Sequence, residues 1–174
     1  IVIPDSVAKM GENVFDGCSG AKKVTIPDSF TRIENGTFRG CRSLSEIPIP
    51  DSVLSIGNHA FGECDGLSEM VIPDGVISIG NRAFCGCKRL KSIEIPESIT
   101  KVGDYTFSEC EGLREIVIPD SVTNIGEYAF NGCKSLKIKN TDALSSCMSY
   151  MSINKNIFAG SGLMAQPFVN GVKM

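Results

Sequence analysis

Histidine occurs once in the 174 residues, as His59. With one imidazole, a Ser-His-Asp or Cys-His nucleophilic arrangement has almost nothing to be built from. Charge of one sign is lacking too: 17 basic residues stand against 20 acidic ones, a formal net of −3. A nucleic-acid binder carries a basic stripe, so no nucleic-acid partner is expected. No apolar run approaches the roughly 20 residues that span a bilayer, so this segment is not expected to enter a membrane. The glycines form neither a Walker nor a dinucleotide-binding pattern, and the Gly-Gly-x-Gly-x-Asp calcium signature is missing. From these absences the chain is not expected to be an enzyme, and no cofactor or metal is expected.

What the sequence does have is a period of 23 residues. Proline recurs at Pro4, Pro27, Pro50, Pro73, Pro96 and Pro119. Phenylalanine keeps the same step from Phe15 to Phe130, and cysteine from Cys18 to Cys133. Six copies without insertion or deletion describe a stack whose units cannot bury their apolar faces alone. The cysteines that keep the step are expected to form an interior row of free thiols. Parallel Cβ vectors in a stack disfavour bridges, and a thiol packs as a small hydrophobe. Cys85 falls off the row and is expected to be exposed, and Cys85-Gly86-Cys87 is a poor metal motif.

Within one copy, Leu113, Ile116 and Ile118 alternate about Val117 as a short strand requires. Pro119 ends it, and Pro119-Asp120-Ser121 is turn chemistry in which side chains bond the local backbone. Gly126 marks a second bend, expected to need positive φ. Tyr128 to Cys133 carries apolar groups at one-turn spacing, which predicts a short helical turn. In the fifth copy Ile95, Ile99, Val102, Thr106, Phe107, Cys110 and Leu113 are expected to point inward. The fold class read from the residues is an α/β repeat solenoid with one parallel β-sheet face and short helical or 3-10 turns opposite.

The pattern Leu113-x-x-Ile116-x-Ile118-Pro119-x-Ser121-Val122-x-x-Ile125-Gly126-x-x-Ala129-Phe130-x-x-Cys133 resembles the BspA-type leucine-rich repeat, a class found in bacterial surface proteins and in many protists. The resemblance covers residues 1–138. It implies a right-handed leucine-rich-repeat stack, a place at the cell surface or in the secreted fraction, and roles in adhesion, aggregation or binding of host and matrix proteins.

Two domains of organisation are expected: six repeats over 1–138, and a degenerate seventh repeat with a C-terminal cap over 139–174. Lys137-Ile138-Lys139-Asn140 reads as a seventh strand one residue short, and Ile153, Phe158 and Gly160 echo Ile125, Phe130 and Gly132. Ser161 takes the cysteine place. The chain opens inside a repeat, which suggests a longer parent. Glu34 stands where other copies have the bend glycine, so strain or a shifted bend is expected there. Pro48 lies inside a strand and removes one ladder donor, predicting a local irregularity.

Outward residues of neighbouring strands line up, and this face is the candidate partner site. One column is Thr25, Pro48, Val71, Glu94 and Val117, beginning at Val2. Beside it run Lys23, Glu46, Glu69, Ser92 and Glu115. Together they form a partly apolar, mildly acidic strip suited to a protein partner. The strand-end acids Asp5, Asp28, Asp51, Asp74, Glu97 and Asp120 are explained by turn formation. His59 sits at a variable surface position, and Asn35-Gly36-Thr37 matches a glycosylation sequon. The leading reading is a non-catalytic, adhesin-like interaction module. The rival is a scaffolding piece in a large intracellular assembly, which free thiols favour.

Overall fold

The computed structural model describes residues 1–138 and 157–161, and the backbone of 168–169 and 172–173. Cys147, Ile153, Asn154, Pro167 and the methionines from Met148 onward lie outside the described residues.

Equivalent residues of successive copies lie over one another. Val24, Ile47, Met70, Ile93 and Ile116 make one buried column, and Ile26, Ile49, Ile72, Ile95 and Ile118 the next. The residue between them in each copy faces solvent, as the two-residue period of a strand dictates. All seven side chains expected to point inward in the fifth copy are buried, including Thr106. The phenylalanines form a continuous ring stack from Phe15 to Phe158, with centroids 5.4–5.6 Å apart and planes within 15° of parallel.

The strands are short. They are β1 (Arg32–Ile33), β2 (Ser55–Ile56), β3 (Glu69–Met70), β4 (Ser78–Ile79), β5 (Ser92–Glu94), β6 (Lys101–Val102), β7 (Glu115–Val117), β8 (Asn124–Ile125) and β9 (Lys137–Ile138). An antiparallel pair, β10 (Phe168–Val169) with β11 (Val172–Lys173), follows near the C-terminus. One row of parallel strands runs β3-β5-β7-β9, extended toward the N-terminus by the bridges Lys23↔Glu46 and Val2↔Thr25. The expectation of a single sheet face needs correction. A second row pairs β1-β2-β4 and, separately, β6-β8, formed by the apolar alternation after the proline turn.

The expected helical turns are absent among the described residues. A helix would spend every amide within its own segment. Here alternate amides leave the coil: Phe38 donates to Ala60 at 2.9 Å, Phe61 to Ala83 at 2.8 Å and Phe84 to Thr106 at 3.0 Å. The intervening amides close tight turns, as from Cys64 to Phe61 at 3.3 Å. Aiming alternate amides at the next coil requires left-handed residues at two places per copy. Gly36 (φ 60°), His59 (φ 55°), Arg82 (φ 59°), Tyr105 (φ 55°) and Tyr128 (φ 55°) occupy the first. Gly40, Glu63, Gly86, Glu109 and Gly132 occupy the second.

The bend glycines Gly57, Gly80, Gly103 and Gly126 are not left-handed, against expectation for Gly126. They are needed for close approach: a Cβ on Gly80 would lie 2.5 Å from the Asn58 amide nitrogen, and one on Gly57 2.6 Å from that of Asn35. Glu34 is not left-handed either, so the expected strain or shift of the bend does not occur.

The serine turns also differ from expectation. The hydroxyls of Ser52 and Ser121 donate to the preceding coil, at Phe30 O (2.7 Å) and Ile99 O (2.8 Å), rather than locally. At Pro48 the irregularity is present: pairing of the second coil with the third shrinks to the Lys23↔Glu46 bridge, and no strand pairing joins the third coil to the fourth on this face. A proline has no amide to offer there. Strand β9 pairs Lys137 with Glu115, a step of 22 where Glu115 and Ser92 are 23 apart, so the seventh strand is one residue short.

Candidate functional site: two exposed faces

On the first strand row, all ten candidate residues, Lys23, Thr25, Glu46, Pro48, Glu69, Val71, Ser92, Glu94, Glu115 and Val117, are exposed. Register places Glu69 beside Ser92, Ser92 beside Glu115, and Glu94 beside Val117. Val71 is 81% exposed and Val2 78%. Two shallow depressions flank Val71. One, of about 590 Å³, is lined by Glu69, Ser92, Glu94, Glu97 and Val117; the other, of about 440 Å³, by Glu46, Pro48, Ile49 and Asp51. Lys23 pairs with Glu46 at the N-terminal end. Beside the acids stand three exposed cations that the sequence reading passed over, Lys22, Lys91 and Arg114, and the short seventh strand brings exposed Lys137 beside Glu115. The face is therefore zoned, with cations bordering carboxylates and carboxylates bordering valines.

The turn side carries more built chemistry than expected. Asn35 Oδ1 accepts the Asn58 amide at 2.7 Å, Asn58 Oδ1 the Asn81 amide at 2.8 Å, and Asn81 Oδ1 the Asp104 amide at 2.9 Å. Asp104 Oδ1 accepts the Glu127 amide at 2.9 Å. Short acceptor side chains at one position thus tie each coil to the next. The same ladder binds up the sequon: Asn35 Nδ2 donates to Glu12 at 2.8 Å, and Thr37 is wholly buried with its hydroxyl on the Glu34 carbonyl.

Next to that ladder, His59, Arg82, Tyr105 and Tyr128 hold left-handed backbone, which disfavours a bulky residue by about 1–2 kcal/mol. Arg82 lies over the Tyr105 ring, 4.5 Å from its centroid, and Tyr105 stacks on Tyr128 at 4.9 Å. His59 is half-buried, and burial, then the Arg82 and Arg39 charges, hold its pKa below the ordinary value, so the ring is neutral at pH 7.

The thiols stand as expected within the described residues, all free. Cys64, Cys87, Cys110 and Cys133 are buried, and each sulfur contacts the phenylalanine carbonyl of the preceding coil at 3.0–3.2 Å, as to Phe61 from Cys87. Burial pushes Cys87 and Cys133 up to about 12 and Cys110 well up. Cys85 is half-buried rather than exposed, and burial raises its pKa too. No group of three potential metal ligands occurs among the described residues.

A ladder of parallel strands, phenylalanines and thiols at one step defines a leucine-rich-repeat protein. The chain belongs to the BspA-type leucine-rich repeat family, whose six-copy region matches residues 1–76 and 54–173. A leucine-rich repeat protein from Bacteroides ovatus is 37% identical over 79% of this chain, with a TM-score of 0.76. The T. pallidum leucine-rich repeat protein is 24% identical over 88% of this chain and 83% of its own, with a TM-score of 0.63. A leucine-rich cell surface protein from Faecalibacterium prausnitzii is 26% identical over 85% of this chain, with a TM-score of 0.54. The chain spans 36% of the Bacteroides ovatus protein and 53% of the Faecalibacterium prausnitzii one. No curated protein matches it.

Proposed function

We propose that this chain is a non-catalytic, adhesin-like interaction module that binds a protein partner through the exposed face of its first strand row. One observation carries the reading: exposed valines and carboxylates stand in register across parallel strands, with Val71 81% exposed between two depressions. Solvent-exposed apolar groups rimmed by charge suit a protein contact. A secreted or surface setting is supported by the similarity to a cell surface protein. The six copies over 1–138 present the binding face, and 139–174 serves as a degenerate seventh repeat and cap, a division supported by Phe158 stacking on Phe130 at 5.6 Å. The coils wind right-handed, as parallel strands joined by crossovers almost always do.

The test is a partner recovered by affinity capture on the purified chain, then measured against a Val71→Glu/Glu69→Lys/Glu94→Lys variant. The variant should fold and bind at least tenfold more weakly; unchanged affinity would put the contact on another face. A second reading, a scaffold inside a large intracellular assembly, draws on the seven free thiols among the described residues.

A further inference from the structure

We propose that the turn side holds a second binding site, independent of the strand face, for a neutral, extended oligosaccharide lying along the stack. The site is a trough of about 340 Å³ lined by Asn58, His59, Asn81, Arg82, Asp104 and Tyr105, continued past its end by Tyr128.

The backbone supplies the first reason. The position taken by His59, Arg82, Tyr105 and Tyr128 is left-handed in every described coil, and Asn13 and Gly36 fill it with residues that tolerate that conformation. Four successive coils instead carry bulky planar side chains there. Unfavourable backbone retained in a contiguous row points to use of the side chains.

The chemistry gives the second. The Asn58 and Asn81 carbonyl oxygens are occupied by the coil ladder, which leaves the side-chain amide N–H groups as what these lining residues have to offer a ligand. Asp104 keeps an acceptor oxygen beyond the one bound to Glu127. Arg82 lies over the Tyr105 ring, and the Tyr105–Tyr128 stack sets two phenols side by side. Along the stack the trough thus offers donors at Asn58, Asn81 and Arg82, an acceptor at Asp104 and phenol rings at Tyr105 and Tyr128, a mixture that suits a run of hydroxylated rings.

Competing ligands fit less well. One cation, Arg82, and one anion, Asp104, face a neutral His59, so a polyanion gains no net attraction. No aliphatic side chain lines the trough, and a protein contact of this size needs an apolar centre.

The test uses the whole chain with cellohexaose and chitohexaose as probes and hexagalacturonate as the charged control, followed by tyrosine fluorescence, which no tryptophan obscures. Expected is saturable binding of at least one neutral hexamer, stronger than hexagalacturonate and at least tenfold weaker in Arg82→Gly/Tyr105→Gly. Glycine matches Gly36 of the same column and so relieves rather than adds backbone strain. Should that variant misfold, protection of Tyr105 and Tyr128 from tetranitromethane by bound sugar supports the site in the unaltered chain, and equal nitration with and without sugar overturns it. No saturable binding within the sugars' solubility, preference for hexagalacturonate, or binding lost in Glu69→Lys yet kept in Tyr105→Gly would each overturn it.

Discussion

Replacing Phe84 with Ala probes the stacking on which the whole architecture depends. The ring is fully buried and lies between Phe61 at 5.4 Å and Phe107 at 5.6 Å, nearly parallel to both. Truncating a buried phenylalanine costs about 3–5 kcal/mol. Loss of two offset ring pairs adds to it, at about 0.5–1.5 kcal/mol each. An overall loss of about 4–8 kcal/mol is a large part of a domain's usual stability of about 5–15 kcal/mol. Phe15 is half-buried with a single described ring neighbour, so Phe15→Ala should lose about 1–2 kcal/mol. Urea unfolding followed by far-ultraviolet circular dichroism measures both. Equal losses at the two positions, or a loss under about 1 kcal/mol at Phe84, would refute a continuous ring column as the spine of the stack.

Gly80→Ala should destabilise by about 2–4 kcal/mol, from overpacking against the Asn58 amide and loss of a coil-to-coil hydrogen bond, whereas Glu34→Gly should change stability by less than about 1 kcal/mol. Equal effects in the same urea assay would contradict the close-approach account. In a Cys147→Ser background, a thiol reagent should find at most the half-buried Cys18 and Cys85 in the native protein, and seven thiols after unfolding. Fewer than seven on unfolding would mean a disulfide. Raising pH should destabilise the stack steeply. Cys64, Cys87, Cys110 and Cys133 are all held above the ordinary 9.0 by burial, so their contribution is complete below pH 9 and is lost as pH climbs toward the folded values, about 12 for Cys87 and Cys133. Each unfolded thiol that ionises contributes about 1.4 kcal/mol per pH unit, so the four together contribute about 5 kcal/mol per unit above pH 9. A urea midpoint that stays flat to pH 11 would show that these sulfurs are not sequestered.

The interior was legible because its chemistry repeats at one step: a column of Phe or Cys in the sequence becomes a column in space once stacking is assumed. The short seventh strand was legible for the same reason, since a missing residue shifts every later apolar position. The turn side was misread because the deciding interactions run between coils and leave only indirect traces. The one-turn spacing from Tyr128 to Cys133 fits a helix until alternate amides are seen to serve the adjoining coil. Gly17, Gly40, Gly86 and Gly132 signalled a left-handed position, but Glu63 and Glu109 interrupt that column. Asn35, Asn58, Asn81 and Asp104 stand at one step in plain view, and only the donor geometry reveals the ladder. Glu34 was weighed for φ, whereas the bend glycines of the other coils are needed for close approach and not for a left-handed backbone.

A uniform interior also limits where recognition can reside. Coils that bury the same Phe, Cys and Ile are interchangeable, so nothing inside distinguishes one position along the stack from another. Distinctions must come from columns that change chemistry between coils. Two such columns are prominent. On the strand face, Thr25, Pro48, Val71, Glu94 and Val117 change from polar to apolar to charged at one position. On the turn face, Gly36, His59, Arg82, Tyr105 and Tyr128 do so under a backbone constraint that disfavours most of them. The first column varies freely because an outward strand position tolerates nearly any side chain. The second varies against its own conformational preference, and a residue kept where the backbone disfavours it carries the stronger implication of use.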